Sequence, residues 1–172
     1  DAVAAASPQM LLLLGDNVYA DTRNMRVMRE KYRELDSVPG FRDLRARTPL
    51  LGIWDDHDYG ENDAGAEYPR KADSQQEFLD FMRVPPSSPR RDREGIYHAE
   101  VFGPPGRRVQ ILLLDTRFFR SPLKREGKSC VPDPDPDKTL LGEAQWEWLE
   151  AKLREPAEVR LLVSSIQVVA ED

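Results

Sequence analysis

Two polar segments of the sequence each follow an apolar run directly, and both are rich in side chains that bind hard metal ions. In the first, four leucines at positions 11–14 lead into Gly-Asp-Asn-Val-Tyr at 15–19. In the second, an apolar run at 50–54 leads into Asp-Asp-His-Asp-Tyr at 55–59. Carboxylate oxygens suit hard cations, and imidazole suits transition metals and proton transfer. The two segments therefore predict a metal site or a hydrolytic site.

The first segment offers three different donors over four residues. Asp16 can give a carboxylate oxygen to a hard cation, and Asn17 can give either a carbonyl oxygen or an N–H donor. Tyr19 can bind as a phenolate if a strongly charged metal draws off its proton. The alternative is an ordinary strand-to-helix connection in which Asp16 and Asn17 only cap the next helix. The first segment by itself leaves both interpretations open.

The second segment concentrates negative charge to an unusual degree. Five acidic residues follow one another with no Lys or Arg between them: Asp55, Asp56, Asp58, Glu61 and Asp63. Like charges at this density repel one another and require a compensating positive charge. A bound metal ion would supply that charge, so this segment favours the metal-site interpretation.

The segments around these two motifs predict an α/β fold. An uninterrupted run of four leucines is typical of a strand buried on both faces of a sheet, and ligands collect beyond the carboxyl ends of such strands. Apolar spacing and turn residues predict a strand at 11–14, a helix at 22–35, a short helix through Phe41 and Leu44, a helix opened by a capping box at 74–77, a hairpin formed by 96–102 and 108–115, a helix at 139–155 and a strand at 159–165.

Three further features admit a simple structural interpretation. Asp115 and Arg117 follow the second strand of the hairpin and are expected to form a structural ion pair, while His98 within the hairpin is expected to be a structural histidine. The basic run at 90–93 is expected to be a solvated loop, with a place at the rim of an anion site as its alternative. The acidic loop at 133–137 imitates the start of a calcium loop, but it lacks the glycine and the bidentate glutamate that such a loop needs.

Length and composition exclude several classes of protein. The 172 residues suffice for one domain with a real core, and no apolar stretch approaches the length of a membrane span. With 25 basic and 31 acidic residues the net charge is −6, which disfavours specific nucleic-acid recognition through phosphate neutralisation. The single cysteine, Cys130, excludes an intrachain disulfide and a thiolate zinc cluster.

Taken together, the two motifs resemble the PhoD-like (alkaline phosphatase D) family of the calcineurin-like metallophosphoesterase superfamily. Residues 15–19 match the Gly-Asp-x-x-Tyr motif, and 54–58 are similar to the family's Trp-Asp-Asp-His-Asp/Glu block. Residues 114–117 and 141–149 are similar to later segments of that family in the same order. The resemblance implies a β-sandwich flanked by helices in four layers, α-β-β-α.

The resemblance also implies a role for each site residue. It implies two metal ions, Fe³⁺ with Ca²⁺, or Mn²⁺ or Zn²⁺ in their place, held by Asp16, Tyr19 and Asp56. His57, oriented by Asp58, would act on the phosphoryl group or the departing oxygen. Hydrogen bonds to phosphate would come from the side chains of Asn17 and Asn62. Because no nucleophilic Ser or Cys lies among these residues, we infer hydrolysis of phosphomonoesters or phosphodiesters by a metal-bound hydroxide.

Two family segments are expected outside the sequence. The early strand that carries a metal ligand would precede residue 1, and the late Gly-Asp-x-His segment would follow residue 172. Residues 1–172 are therefore expected to form the central part of one domain that is incomplete at both ends. The alternatives are an inactive fragment of the enzyme or a non-catalytic metal-binding or interaction domain. The resemblance implies a small-molecule, lipid or nucleotide phosphoester as the substrate. It also suggests that the protein is exported to the periplasm or the extracellular space, and a cytoplasmic location stays open. The sequence does not define an oligomeric state.

Overall fold

The two polar segments begin at the same edge of a parallel strand pair. In the computed structural model, which describes residues 2–167, β1 (Leu11–Leu14) pairs in parallel with β2 (Leu50–Ile53), and Leu14 lies opposite Ile53. Parallel strands end on the same side of a sheet, so the loops that follow them are neighbours. This arrangement brings the two motifs together, although about 40 residues separate them in the sequence.

A second sheet adds two more strand ends. The predicted hairpin is confirmed: β3 (His98–Phe102) runs antiparallel to β4 (Val109–Leu113). On the other side of β4, β7 (Val159–Val163) pairs in parallel, with Leu113 opposite Val163. The strand order is therefore β3-β4-β7. Because β4 and β7 are parallel, the residues that follow them, Asp115 and Ser165, emerge on the same side.

The remaining elements are helices and one short hairpin. They are α1 (Ala2–Ala5), α2 (Met25–Ser37), α3 (Pro39–Arg47), α4 (Asp56–Tyr59), α5 (Lys71–Phe81), a 3₁₀ turn (Pro89–Arg91), the pair β5 (Arg125–Glu126) and β6 (Ser129–Cys130), and α6 (Gly142–Arg154). The predicted helices are present, but some of their bounds differ. Helix α2 begins at Met25, because Asn24 caps it by accepting a hydrogen bond from the backbone of Arg26.

One predicted cap is wrong. The sequence pattern places a capping box at Ser74, whereas α5 begins at Lys71 and Ser74 is buried inside the helix. Its hydroxyl lies 3.7 Å from the sulfur of Met25, which is a tertiary contact that the local sequence does not reveal. A residue type that suits a cap also suits a buried hydroxyl with a nearby partner, so the motif alone could not separate the two.

The main core lies beneath the two motifs. Trp54 is fully buried between the ring of Tyr59, at 4.9 Å between centroids, and the ring of Phe78, at 5.4 Å. A smaller cluster joins β4 to α6 through Leu112, Leu114 and Leu149. The prediction that residues 11–14 are buried on both faces is wrong, because Leu14 is 56% exposed and the other three leucines are only partly buried.

The fold class is therefore mixed α/β, as predicted. The described sheets contain two, three and two strands, so the finer prediction of a four-layer sandwich remains a prediction. Between residues 2 and 167, no helix combines the length and the apolar character that crossing a membrane requires.

Candidate metal centre

Three of the predicted site residues bring ligand atoms together. One oxygen each from Asp16 and Asp56 and one ring nitrogen of His57 lie within 4.8 Å of one another. Asp16 follows β1, whereas Asp56 and His57 form the first turn of α4 after β2. Two carboxylates and an imidazole at this separation can surround a single cation.

Asp16 is held in an unfavourable conformation with an unpartnered buried oxygen. Its φ is +49°, in the left-handed region that residues other than glycine rarely adopt. The Oδ1 atom is buried and has no hydrogen-bond partner among the described residues. Burial raises the pKa of this carboxyl, and the charges of Asp55 and Asp56 raise it further. The charge of the nearby His57 and the hydrogen bond from Tyr19 lower this pKa only in part, so the net pKa of Asp16 stays raised.

The preceding glycine allows the two loops to meet. Gly15 has φ +107°, and a Cβ built on it would lie 2.7 Å from Cβ of Asp55 and 3.0 Å from Cβ of Ser165. No other residue type could adopt this turn without moving the neighbouring loops. The close approach of the backbone at Gly15 therefore sets the separation between the first motif and the second.

Asp56 keeps its charge because donors surround it. Burial opposes ionisation, but a 2.7 Å hydrogen bond from the backbone N–H of Asp63 and the nearby charge of Arg117 lower the net pKa of Asp56. The Arg117 guanidinium lies 3.6 Å from Asp56 Oδ1. A carboxylate that is ionised and fixed in this way is suited to bind a cation.

Arg117 is the main internal counter-charge, and the predicted Asp115–Arg117 ion pair is wrong. Arg117 Nε donates to Asp55 Oδ1 at 2.6 Å, with the arginine side chain only 6% exposed. Asp115 instead accepts buried hydrogen bonds from the indole of Trp54 and from backbone N–H groups, including that of Arg117. Ser165 also donates to Asp55 Oδ1, at 2.8 Å.

Arginines distant in sequence thus supply part of the positive charge that the second motif requires. Glu61 pairs with Arg23, and Asp63 pairs with Arg125. The sequence argument assigned all of this compensation to metal ions. The arginines do not complete this compensation, because the buried Oδ1 of Asp16 still has no partner among the described residues.

His57 is oriented by Asp21, not by Asp58 as the sequence predicted. Its Nδ1 lies 2.7 and 2.9 Å from the two carboxylate oxygens of Asp21. This hydrogen bond raises the pKa of His57 against the opposing effect of burial. Engaging Nδ1 in this way leaves Nε2 as the nitrogen available for chemistry. Tyr19 packs on the imidazole, with 4.3 Å between ring centroids.

Asp58 is fully buried and holds the two loops together. Its Oδ1 accepts from the backbone of Asp55 at 2.6 Å, and its Oδ2 accepts from the backbone and side-chain amide of Asn17 at 3.1 and 2.5 Å. Burial raises the pKa of Asp58 to about 7 despite these donors. The side-chain amide of Asn17 also donates to Ile53 O at 2.9 Å. Both amide hydrogens are used within the protein, so the predicted donation from Asn17 to phosphate does not fit.

The two remaining predicted residues are exposed. Tyr19 is 63% exposed, and its hydroxyl donates to Asp16 Oδ2 at 3.3 Å. The charge of Asp16 raises the pKa of the phenol, so a phenolate would form here only with a cation to reverse that effect. Asn62 lies in the exposed turn after α4, where its side chain makes no hydrogen bond to the described residues.

The donor set fits a hard cation. Asp16 and Asp56 supply carboxylate oxygens, Tyr19 is already hydrogen-bonded to Asp16, and the buried Oδ1 of Asp16 lacks a partner that a cation would provide. Among residues 2–167 this is the one group of three His, Cys, Asp or Glu side chains with such geometry. Sequence reasoning missed Asp21 and Ser165 and assigned Arg117 to the wrong carboxylate; Asp21, two residues after the first motif, gave a local signal.

Two comparisons with known proteins found matches to this chain. The family model described as PhoD-like phosphatase matches residues 1–171. A solved structure titled "Structure of PhoD" superposes with a TM-score of 0.72 and 22% identity, covering 89% of this chain and 35% of that chain. No curated protein matches the sequence. The chain spans about a third of the PhoD structure, and at this identity the superposition establishes the fold alone. The family match over nearly the whole length shows that the chain belongs to the PhoD-like phosphatase family.

Proposed function

We propose that this chain carries the central part of a metal-dependent phosphoesterase site that hydrolyses phosphomonoesters or phosphodiesters. The observation that carries the proposal is the convergence of Asp16, Asp56 and His57 within 4.8 Å, beside a buried carboxylate oxygen without a partner. Membership of a phosphatase family supports the same reaction class. Because the chain covers 35% of the PhoD structure, the activity of the whole protein is part of the proposal.

Asp16, Asp56 and Tyr19 would hold the ions. Two ions, Fe³⁺ with Ca²⁺, or Mn²⁺ or Zn²⁺ in their place, would supply positive charge to the phosphoryl oxygens and an activated water. Asp16 would be the central ligand, because its Oδ2 accepts from Tyr19 while its buried Oδ1 has no partner among the described residues. Arg117 holds Asp55 and limits the repulsion that Asp56 experiences.

His57 would act on the phosphoryl group. Asp21 holds Nδ1 and raises the pKa of the ring, so His57 carries a proton at a higher pH than an isolated histidine does. A protonated Nε2 can donate to a phosphoryl oxygen or protonate the departing oxygen. Asp58 would act only indirectly, by tying Asn17 to the second motif, and Asn62 remains the candidate donor to phosphate from the exposed turn.

The test is hydrolysis of p-nitrophenyl phosphate and bis(p-nitrophenyl) phosphate by the full-length protein that contains this chain, with Fe³⁺, Ca²⁺, Mn²⁺ and Zn²⁺ supplied in turn. We expect turnover that a chelator abolishes and that the metals restore. Absence of turnover of either ester with every metal would contradict the proposal.

A second candidate is a non-catalytic metal-binding domain. It is supported by the donor set, since the carboxylates of Asp16 and Asp56 could hold a cation whether or not His57 acts on a substrate. In that case Ca²⁺ or Fe³⁺ would raise the melting temperature by mass action without any hydrolysis.

A further inference from the structure

An arginine-lined groove begins at Thr22, the residue after Asp21, and has no role in the chemistry described above. It is an open cavity of ≈ 720 Å³ lined by Thr22, Arg23, Asn24, Met25, Arg26 and Arg70. Three of its six lining residues are arginines, in a chain whose net charge is −6. Such a local reversal of charge attracts anions.

The groove adjoins His57 through continuous backbone. Asp21, which holds His57, immediately precedes Thr22, and the backbone N–H of Thr22 donates to Gly60 O at 2.6 Å at the end of α4. From Asp21 to Asn24 the chain spans at most about 11 Å, even if fully extended. The Thr22 end of the groove therefore lies close to the segment that orients His57.

The three arginines are not equally neutralised. Arg23 pairs through Nε and one Nη with Glu61, and Arg70 Nε lies 3.1 Å from Asp73. The Arg26 guanidinium is exposed and forms no ion pair or side-chain hydrogen bond with the described residues. Arg26 therefore carries the uncompensated charge, and Arg70 keeps unpaired Nη donors beside it.

We propose that this groove, which we name the arginine groove, binds a second phosphate group of the substrate. The inference rests on the proposed function and specifies its substrate class: phosphoesters that carry a further phosphate beyond the one that is hydrolysed. Guanidinium groups bind phosphate through paired N–H donors, and the groove begins at the residue that follows Asp21, the partner of His57.

The basic run at 90–93 does not compete for this role. Arg90 donates to Ile96 O, Arg91 donates to Val84 O and Pro85 O, and Arg93 donates to Tyr97 O. These guanidinium groups support the backbone before β3, so the alternative of an anion-site rim, considered for this run from the sequence, is not supported by its contacts.

The test compares two substrates that differ by one phosphate: thymidine 5′-(p-nitrophenyl phosphate) with and without a 3′-phosphate. We expect a higher kcat/KM for the 3′-phosphorylated ester. Arg26→Gln should reduce that preference about three- to fivefold, and Arg26→Gln with Arg70→Gln about tenfold, the range for losing one and two exposed charge contacts. Raising the salt to 0.5 M should also reduce it, because exposed charges are screened.

Arg33→Gln is the matched control. It removes the same charge from an exposed position on the same helix, outside the groove, so the substrate preference should not change. A preference that is absent in the unmodified protein, or that survives the double substitution, would overturn the inference while leaving phosphoester hydrolysis intact.

A binding measurement separates this inference from the proposed function. Calorimetry with thymidine 3′,5′-bisphosphate and thymidine 5′-monophosphate requires no turnover. Even if neither ester is hydrolysed, tighter binding of the bisphosphate than of the monophosphate would support a phosphate site in the arginine groove. The double variant Arg26→Gln with Arg70→Gln should lose this difference in affinity. Equal affinities for the two nucleotides would contradict it.

Discussion

Asp16 and His57 contribute to one cluster of donor atoms but have different surroundings. Asp16 has a buried oxygen with no partner, whereas His57 is held by Asp21 through Nδ1. A carboxylate between two cations would hold the site together, while an imidazole fixed by another carboxylate can act on substrate without binding metal. Replacing Asp16 should therefore affect metal content and activity, whereas replacing His57 should affect activity alone.

We expect Asp16→Ala to lose metal as well as activity, because the remaining carboxylates would lack a bridging ligand. His57→Ala should keep its metal while kcat falls by about 10² to 10⁴, the range for losing a general acid or base. Metal analysis beside steady-state kinetics measures both quantities. His98→Ala, at the only other histidine in the sequence, is the control and should leave metal content unchanged. A His57→Ala protein stripped of metal would instead identify His57 as a ligand.

Asp21 should govern the protonation of His57. In the metal-free protein Asp21→Asn should lower the pKa of His57, because the hydrogen bond and charge that raise it are reduced. By linkage, the Asp21–His57 pair stabilises the fold below the ordinary pKa of histidine, and that stabilisation is lost as pH rises through the raised value. NMR titration of the two histidines measures the pKa of His57 in the unmodified protein and in Asp21→Asn. His98, whose pKa burial lowers, serves as the internal reference and should not move.

At the scale of elements, the turn after β1 controls how the two motif loops meet. Gly15→Ala should destabilise the protein by about 2 to 5 kcal/mol, from left-handed strain together with overpacking against Asp55 and Ser165. Gly106→Ala is the matched control, since Gly106 has φ +85° but nothing within 4 Å of the added Cβ. It should cost only the strain, about 1 to 2 kcal/mol. Denaturant unfolding measures the free energy of unfolding of both variants. Equal decreases in the two variants would show that the close approach at Gly15 has no energetic effect.

The elements themselves were predictable, whereas their long-range contacts were not. The apolar runs predict β1, β2 and the β3–β4 hairpin, because a run of apolar residues bounded by turn residues has few alternatives. The contact from Asp21 to His57 depends on left-handed backbone at Asp16 and Asp21, and Asp residues adopt it only where tertiary structure enforces it. The pairing of Arg117 with Asp55 joins two sheets, so no local pattern could reveal it.

At the scale of the whole molecule, the edge of the β3-β4-β7 sheet is exposed. Leu162 is 50% exposed, and within the described residues no strand pairs with the outer edge of β7. An exposed apolar edge strand pairs readily with another copy. We therefore expect the 172-residue chain to self-associate with rising concentration and Leu162→Lys to shift it toward monomer. Leu153→Lys on α6 is the control, because it removes an exposed leucine from a helix without changing a strand edge. Sedimentation equilibrium measures the effect, and equal shifts would rule out pairing at the edge.

The hydrogen bond from Ser165 to Asp55 joins residues 110 positions apart, and that from Arg117 to Asp55 joins residues 62 apart. Contacts of such long sequence separation close large loops and form late in folding. Asp55, the neighbour of the proposed ligand Asp56, therefore gains these two partners only after β4 and β7 have formed. During synthesis on the ribosome, Asp55 would emerge long before its serine and arginine partners, whereas Glu61 would emerge after Arg23, with which it pairs. A cation that arrives early would meet a flexible, weakly selective chelator, so the choice of metal would be made by the completed fold and not by the nascent chain.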